Sequence, residues 1–213
     1  MATTTPNYGW TVPTSTDLVK DGATAIETLG DAIDASMNTA LGTKKAGMVL
    51  LNTTSFSGVA SQSVSNIFTS AYKNYRILLS ITSVGADGIM QLRLRANTTD
   101  NSANSYITDS ISISQTGGVG AFAAAPQTGY YILTSDTGVG IEHYYSAAID
   151  IFRPNEACYT TFQRIANGVA TDSTTYYSFV GGGLHSVASA FNGFTLFNIG
   201  NITGQVSVYG YNE

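Results

Sequence analysis

Beyond residue 46 the chain stops spacing its apolar residues three or four apart and begins to alternate them. In "GIMQLRLRAN" Met90, Leu92 and Leu94 interleave with Gln91, Arg93 and Arg95, the period of a strand with one buried and one wet face. "NYRILLSITSV" (74–84) is apolar enough for a central strand, and "MVLLNTTSF" (48–56) opens the series. In "SYITDSISIS" Ile107, Asp109, Ile111 and Ile113 alternate with Tyr106, Thr108, Ser110 and Ser112, so Asp109 breaks the apolar side. Further strands are expected within 128–135, 142–154, 160–170, 174–184, 191–200 and 204–212. Turn signals such as "GADG", "NTTDNSANS", "TGGVG", "SDTGVG", "RPNE" and "GNITG" separate them. Roughly nine or ten strands without an intervening helix predict a mainly β chain, an antiparallel β-sandwich of jelly-roll type. No repeat of 20–50 residues suggests a solenoid or propeller.

The one helical stretch is "DLVKDGATAIETLGDAIDASMNTAL" (17–41). Val19, Ile26, Ile33 and Ala40 recur every seven residues, and Gly22, Leu29 and Ser36 follow the first three by three, which makes an a/d seam. Ser15, Thr16 or Asp17 can cap its start, and Asp17, Asp21 and Glu27 suit the positive end of its dipole. Gly42, Lys44 and Lys45 supply a stop. A lone helix this short is marginal, so the seam Val19, Ile26, Leu29, Ile33, Ala40 is expected to pair with copies of itself, a short coiled coil. Before it, "MATTTPNYGWTVPTST" (1–16) holds Pro6, Pro13, Tyr8 and the only Trp, Trp10. Proline and glycine oppose helix there, and the aromatics suggest an extended segment that docks on a partner through Tyr8, Trp10 and Pro13. The organisation expected is an attachment segment at 1–16, a helix and linker at 17–45, and a β-head at 46–213.

Charge narrows the partners. Only 11% of residues are charged and the net charge is −5, with Arg153 and Arg164 the only basic residues after position 100. Nucleic-acid binding rests on neutralising phosphates and is not expected. One cysteine, Cys158, allows no internal disulfide. No long apolar run predicts membrane insertion, and the first ten residues lack the basic start and apolar core of a signal peptide. Synthesis in a cytoplasm with release by lysis is the expectation.

No catalytic constellation emerges. His143 and His185 lie far apart, and neither joins Cys158 in a metal or nucleophile motif. No phosphate loop, nucleophile elbow or zinc-protease motif is present. Asp87, Asp100, Asp109, Asp136, Asp150 and Asp172 are candidates for a glycosidase pair, but most sit in turn signals, where Asp is expected for turn chemistry. Neither catalytic residues, cofactor nor metal are therefore expected. Thirteen tyrosines, with doublets at 130–131, 144–145 and 176–177, place one ring inward and one outward on a strand. The outward rings could pack across strands or offer a platform for a sugar or a protein.

Two segments carry a resemblance. "YGWTVPTSTDLVKDGATAIETLGDAID" (8–34) resembles the N-terminal segment of many tailed-phage minor tail and tail-fibre-like proteins. Tyr-Gly, Pro, Thr-Asp, Gly-Ala and Leu…Ile-Asp follow in the same order. "FTLFNIGNITGQVSVYGYNE" (194–213) is similar to the closing hairpin of their C-terminal β-sandwich. The resemblance implies a virion protein, a homotrimer fixed to the particle by its N-terminus. The expected role is a short trimeric tail fibre or receptor-binding tip presenting its head to a host-surface glycan or protein. The alternatives are a capsid decoration protein or head fibre, and a polysaccharide-degrading tailspike.

Overall fold

A computed structural model describes residues 3–16, 18–41, 47–86, 88–133, 144–169 and 175–212. The chain forms two compact units, residues 1–47 with 212–213 and residues 48–211. Asp17, Gly42, Lys44, Lys45, Asp87, Asp136, His143 and Asp172 lie outside the described residues.

In the first unit the N-terminal segment is folded back rather than extended. β1 (Thr3–Thr4) and β2 (Thr11–Val12) pair antiparallel. The turn between them is tied by Thr5 N–H donating to Trp10 O at 2.9 Å. The Tyr8 and Trp10 rings stack 5.0 Å apart. A 3-10 turn (Val19–Asp21) then leads into α1 (Gly22–Leu41). The residue capping this turn is Leu18, which makes no side-chain capping bond, so the start lies later than the run of Ser15, Thr16 and Asp17 suggested. Gly22, Ala25, Leu29, Ala32, Ile33 and Ser36 form the half-buried stripe of α1. Trp10 Nε1 donates to Ser36 Oγ at 2.9 Å on that stripe.

The second unit is a mainly antiparallel β-domain. Its strands are β3 (Met48–Val64), β4 (Asn74–Val84), β5 (Gln91–Ala96), β6 (Thr99–Asp100), β7 (Tyr106–Ser114), β8 (Val119–Gln127), β9 (Tyr130–Tyr131), β10 (Tyr145–Phe152), β11 (Thr160–Val169), β12 (Tyr176–His185) and β13 (Gly193–Tyr211). They make one curled sheet in the order β6-β5-β13-β4-β10-β11-β12-β7-β8, with β3 beside β13 and β9 beside β5. The long β13 organises it. Its first half pairs with β5 and its second half with β4, while β3 follows its whole length, and the register slips between Phe197 and Ile202. The "GNITG" segment, expected as a turn between two strands, is therefore the bend of one continuous strand.

Curling brings the β5–β9 side over β11. Tyr130 of β9 stacks on Phe162 of β11 at 4.4 Å, and the Tyr106 hydroxyl accepts from Leu94 N–H at 2.9 Å. Tyr75, Ile77, Leu92, Leu94, Ile149 and Phe194 are sealed in the same core. Each fully buried side chain of this size contributes about 1.5–3 kcal/mol of transfer free energy, so the inward residues of the alternating strands carry the stability. β8 was not foreseen, because "AFAAAPQ" lacks the β-branched residues that mark strands.

Candidate functional site

The outward face of β4, β10, β11, β12, β7 and β8 carries the most distinctive surface of the head. Strand register sets its pattern. Ala121, Ile111, Val180, Ile165, Ala148 and Leu78 stand opposite one another in succession across the six strands. All point to the same side, because paired residues of antiparallel strands share a face. Ile111, Val180 and Ile165 are 55%, 58% and 58% exposed.

This inverts the ordinary reading of β7. Its isoleucines face solvent, while Tyr106, Thr108, Ser110 and Ser112 point inward. The interior at that corner needs polar atoms. Thr108 Oγ1 accepts from Tyr131 N–H at 3.2 Å, and the Tyr106 hydroxyl donates to Asn101 O at 3.0 Å. Arg164, only 2% exposed, lies in the same interior and donates to the Tyr130 hydroxyl at 2.9 Å. Its guanidinium also sits 5.3 Å from the Tyr130 ring, a cation–π distance.

Two residues along each strand lies a polar row: Asp109, Gly182, Gln163, Asp150, Arg76 and Tyr209. Arg76 grips Asp150 bidentately, Nε to Oδ1 at 2.8 Å and Nη2 to Oδ2 at 2.6 Å, and the Tyr211 hydroxyl donates to Oδ1 at 2.6 Å. Partial burial raises the Asp150 pKa, but the bonds from Arg76 and Tyr211 outweigh it and hold the carboxyl below its ordinary range. Burial, together with its bond to Asp150, pushes the Tyr211 hydroxyl up to about 12. At the other end Gly182 N–H donates to Asp109 Oδ1 at 2.8 Å. Apart from Leu78 and Tyr209, the residues of the two rows line a shallow groove of about 900 Å³.

The "GGG" of residues 181–183 lies inside β12, within the strand expected over 174–184. A Cβ on Gly181 would stand 2.1 Å from Asp109 O, and one on Gly183 would stand 2.1 Å from Ile107 O. Glycine lets β12 approach β7 this closely.

Asp109 and Asp150 share one row but are three strand spacings apart, about 14 Å. That exceeds the ~5–9.5 Å separations of glycosidase carboxylates. Asp100 bonds Arg95 at 2.6 Å and Thr195 at 2.7 Å, at the β5–β6 corner. His185 is buried between Tyr106 and Phe191, its Nδ1 3.1 Å from Val187 O. Burial lowers its pKa, which the Val187 carbonyl only partly offsets. Cys158 is half-buried in the loop between β10 and β11. Among the described residues no three His, Cys, Asp or Glu side chains converge as metal ligands, and no helix is long and apolar enough to cross a membrane.

The seam residues divide. Val19 is 97% exposed, Ile26 and Ala40 are exposed, and Leu29 and Ile33 are half-buried. Of the docking candidates, Tyr8 and Pro13 are exposed, while half-buried Trp10 is bonded to the helix. Within each tyrosine doublet the rings differ. Tyr130 and Tyr145 are buried and Tyr177 is half-buried, whereas Tyr144 and Tyr176 are exposed and Tyr131 is half-buried. The sequence missed the apolar row altogether. The signal that could have revealed it is Asp109 on the isoleucine side of β7.

No protein-family model matches this chain, and no curated protein matches it significantly.

Proposed function

We propose that this protein is a non-enzymatic structural component of a tailed-phage virion, a short trimeric tail fibre or receptor-binding tip. The N-terminal unit attaches to the particle through Tyr8, Trp10 and Pro13 and joins copies through its helix. The head, a jelly-roll-like sandwich, turns toward a glycan or protein of the host surface. The resemblance of residues 8–34 and 194–213 to phage tail proteins supports membership of a virion.

The observation that carries self-association is the position of Val19 and Ile26. Ile26 on α1 and Val19 in the 3-10 turn before it remain exposed, as does Met37, while Ile33 and the d residues Gly22, Leu29 and Ser36 are half-buried within the unit. Exposed Ile26 and Met37 on a helix of 20 residues favour pairing with another helix. Joining three heads would turn three weak sites into one avid ligand.

Two measurements test this. Light scattering of the full chain is expected to give three times the 22.4 kDa of one chain, and the Val19→Asp, Ile26→Asp variant is expected to give a smaller species. Gold-labelled antibody against the head is expected on tail tips of particles that carry the gene. Label on the capsid would replace the tail role with decoration, and unlabelled particles would refute a virion role.

A further inference from the structure

We infer that the outward surface where β10 begins, β11 ends and β12 begins carries a subsite for one neutral hexopyranose unit of a glycan. The inference rests on the reading of the head as facing a host-surface glycan or protein, and it deepens that reading by naming the sugar class and the cleft.

Strand register builds the site. Tyr176 of β12 stands opposite Val169 of β11, and Val169 N–H donates to Tyr144 O, just before β10, at 3.2 Å. Tyr176, Val169 and Tyr144 therefore follow one another across the sheet. Tyr144 is 63% exposed and Tyr176 41%, with half-buried Val169 between them. The two tyrosines are two strand spacings apart, about 9.6 Å.

Two residues along each strand, on the same face, Ser80, Ser146, Asn167 and Ser178 stand opposite one another in succession. Ser178 Oγ donates to Asn167 Oδ1 at 3.0 Å and lies 3.4 Å from the Tyr176 hydroxyl. The first bond fixes the Asn167 amide and leaves its nitrogen turned from Ser178 as a donor. Toward β7 and β8 the row passes into Ile113 and Val119, where the polar patch ends. Tyr144, Tyr176, Val169, Ser80, Ser146 and Asn167 line a cleft of about 320 Å³, at the lower end of the ~300–1,000 Å³ of ligand sites.

The chemistry of the cleft selects its occupant. Phenol rings offer flat apolar area with a polar handle. A pyranose matches them, because its ring C–H groups make an apolar face and its hydroxyls surround the edge. Serine hydroxyls and the Asn167 amide both donate and accept, so sugar hydroxyls find either partner. No charged side chain lines the cleft among the described residues, so phosphates, uronic acids and basic peptides meet no counter-charge. An apolar helix laid over the serines would take their water and return no hydrogen bond. Strand addition needs an open edge, whereas β4, β10, β11 and β12 are each paired on both sides. A site for one sugar is weak by itself, and three joined heads would offset that weakness.

The test uses the full chain and the methyl glycosides of glucose, galactose, mannose and N-acetylglucosamine, with methyl glucuronide as the acidic control. Saturation-transfer NMR at millimolar sugar is expected to show transfer to the ring protons of at least one neutral glycoside and none to the glucuronide. The Tyr144→Ala, Tyr176→Ala variant changes two exposed positions. It is expected to lose the transfer at least tenfold with its far-ultraviolet circular dichroism unchanged. Transfer that persists in the variant overturns the cleft and leaves a glycan-facing head standing. Absence of transfer to every neutral glycoside, or preference for the glucuronide, overturns the subsite. Gold label on tail tips in that case would keep the receptor-binding reading and assign it another receptor. If the variant does not fold, tetranitromethane nitration of the wild type decides. Bound glycoside is expected to slow nitration of Tyr144 and Tyr176 and not of exposed Tyr159, and equal rates with and without sugar would overturn the proposal.

Discussion

Ile111 of β7 and Val180 of β12 stand directly opposite each other, and both point into solvent. On the other side of the same two strands, Ser110 and Gly181 are opposed beside the buried Arg164. The usual distribution, apolar inside and polar outside, is thus exchanged along this part of the sheet. A strand can tolerate that exchange where its inner hydroxyls find partners and its outer aliphatics are covered by something else.

Gly181→Ala tests the close approach of β12 and β7. The added Cβ would meet the Asp109 carbonyl oxygen, which is backbone and cannot swing aside. Thermal or urea unfolding is expected to show a loss of about 1–3 kcal/mol, as for other overpacked sites. Gly182→Ala, whose nearest neighbour would be Phe162 O at 3.1 Å, is expected to lose less. Equal effects of the two would refute the account of β12.

Phe162→Ala removes the ring under Tyr130. The ring is 2% exposed and stacks across the two sides of the curled sheet, so the cavity cannot fill from solvent. A cost of about 3–5 kcal/mol is expected in denaturant unfolding. A cost below about 1 kcal/mol would mean that the two sides do not share this contact.

The pair Arg76–Asp150 makes stability fall in acid. The folded-state pKa of Asp150 lies below its ordinary 3.8, so its contribution is present above that value and is lost as pH falls through the folded pKa. Because the two side chains remain 34% and 18% exposed, the contribution is discounted for solvent screening to about 1 kcal/mol. Asp150→Asn is expected to lower stability at pH 7 and to flatten its dependence below pH 4. An unchanged acid limb would exclude the pair as its source.

His185 acts in a different window. Burial keeps its folded pKa below 6.5, so its neutral ring contributes fully above 6.5. Below that value the unfolded chain takes up a proton that the folded ring resists, and stability falls with pH until the folded pKa is reached. His185→Gln is expected to remove the slope between pH 6.5 and the acid limb of Asp150. Chemical denaturation at half-unit pH steps measures it.

Trp10 reports the N-terminal unit by itself, because the chain has no other tryptophan. Ser36→Ala removes the acceptor of its Nε1–H bond. The emission is expected to shift to the red, and the unit to lose about 1 kcal/mol, the net value of one such bond. An unchanged spectrum would show that Trp10 is held by stacking on Tyr8 alone.

The strands that face the core on one side only were legible from their alternation. Met90, Leu92 and Leu94 are buried, with Arg93 and Arg95 outside them, because apolar burial and strand period act together there. Periodicity also located the helix, although its first turn begins at Leu18 rather than at a side-chain cap. Periodicity could not say which side of β7 faces inward. Both of its sides are chemically plausible, and the choice depends on Arg164, Tyr130 and Tyr131, which lie 16 or more residues away in the sequence.

The sequence by itself determined that this chain would be mainly antiparallel β with one N-terminal helix, because local spacing dictates element type. It also determined the charge-poor surface, because composition dictates that directly. Tertiary structure alone decided that residues 193–211 run as one bent strand, that Gly181 and Gly183 lie where β12 closes on β7, and that six aliphatic side chains gather on one outer corner. Each of these follows from pairing between distant strands. A pairing register couples residues that no local pattern connects, and one step of register decides which face a side chain occupies.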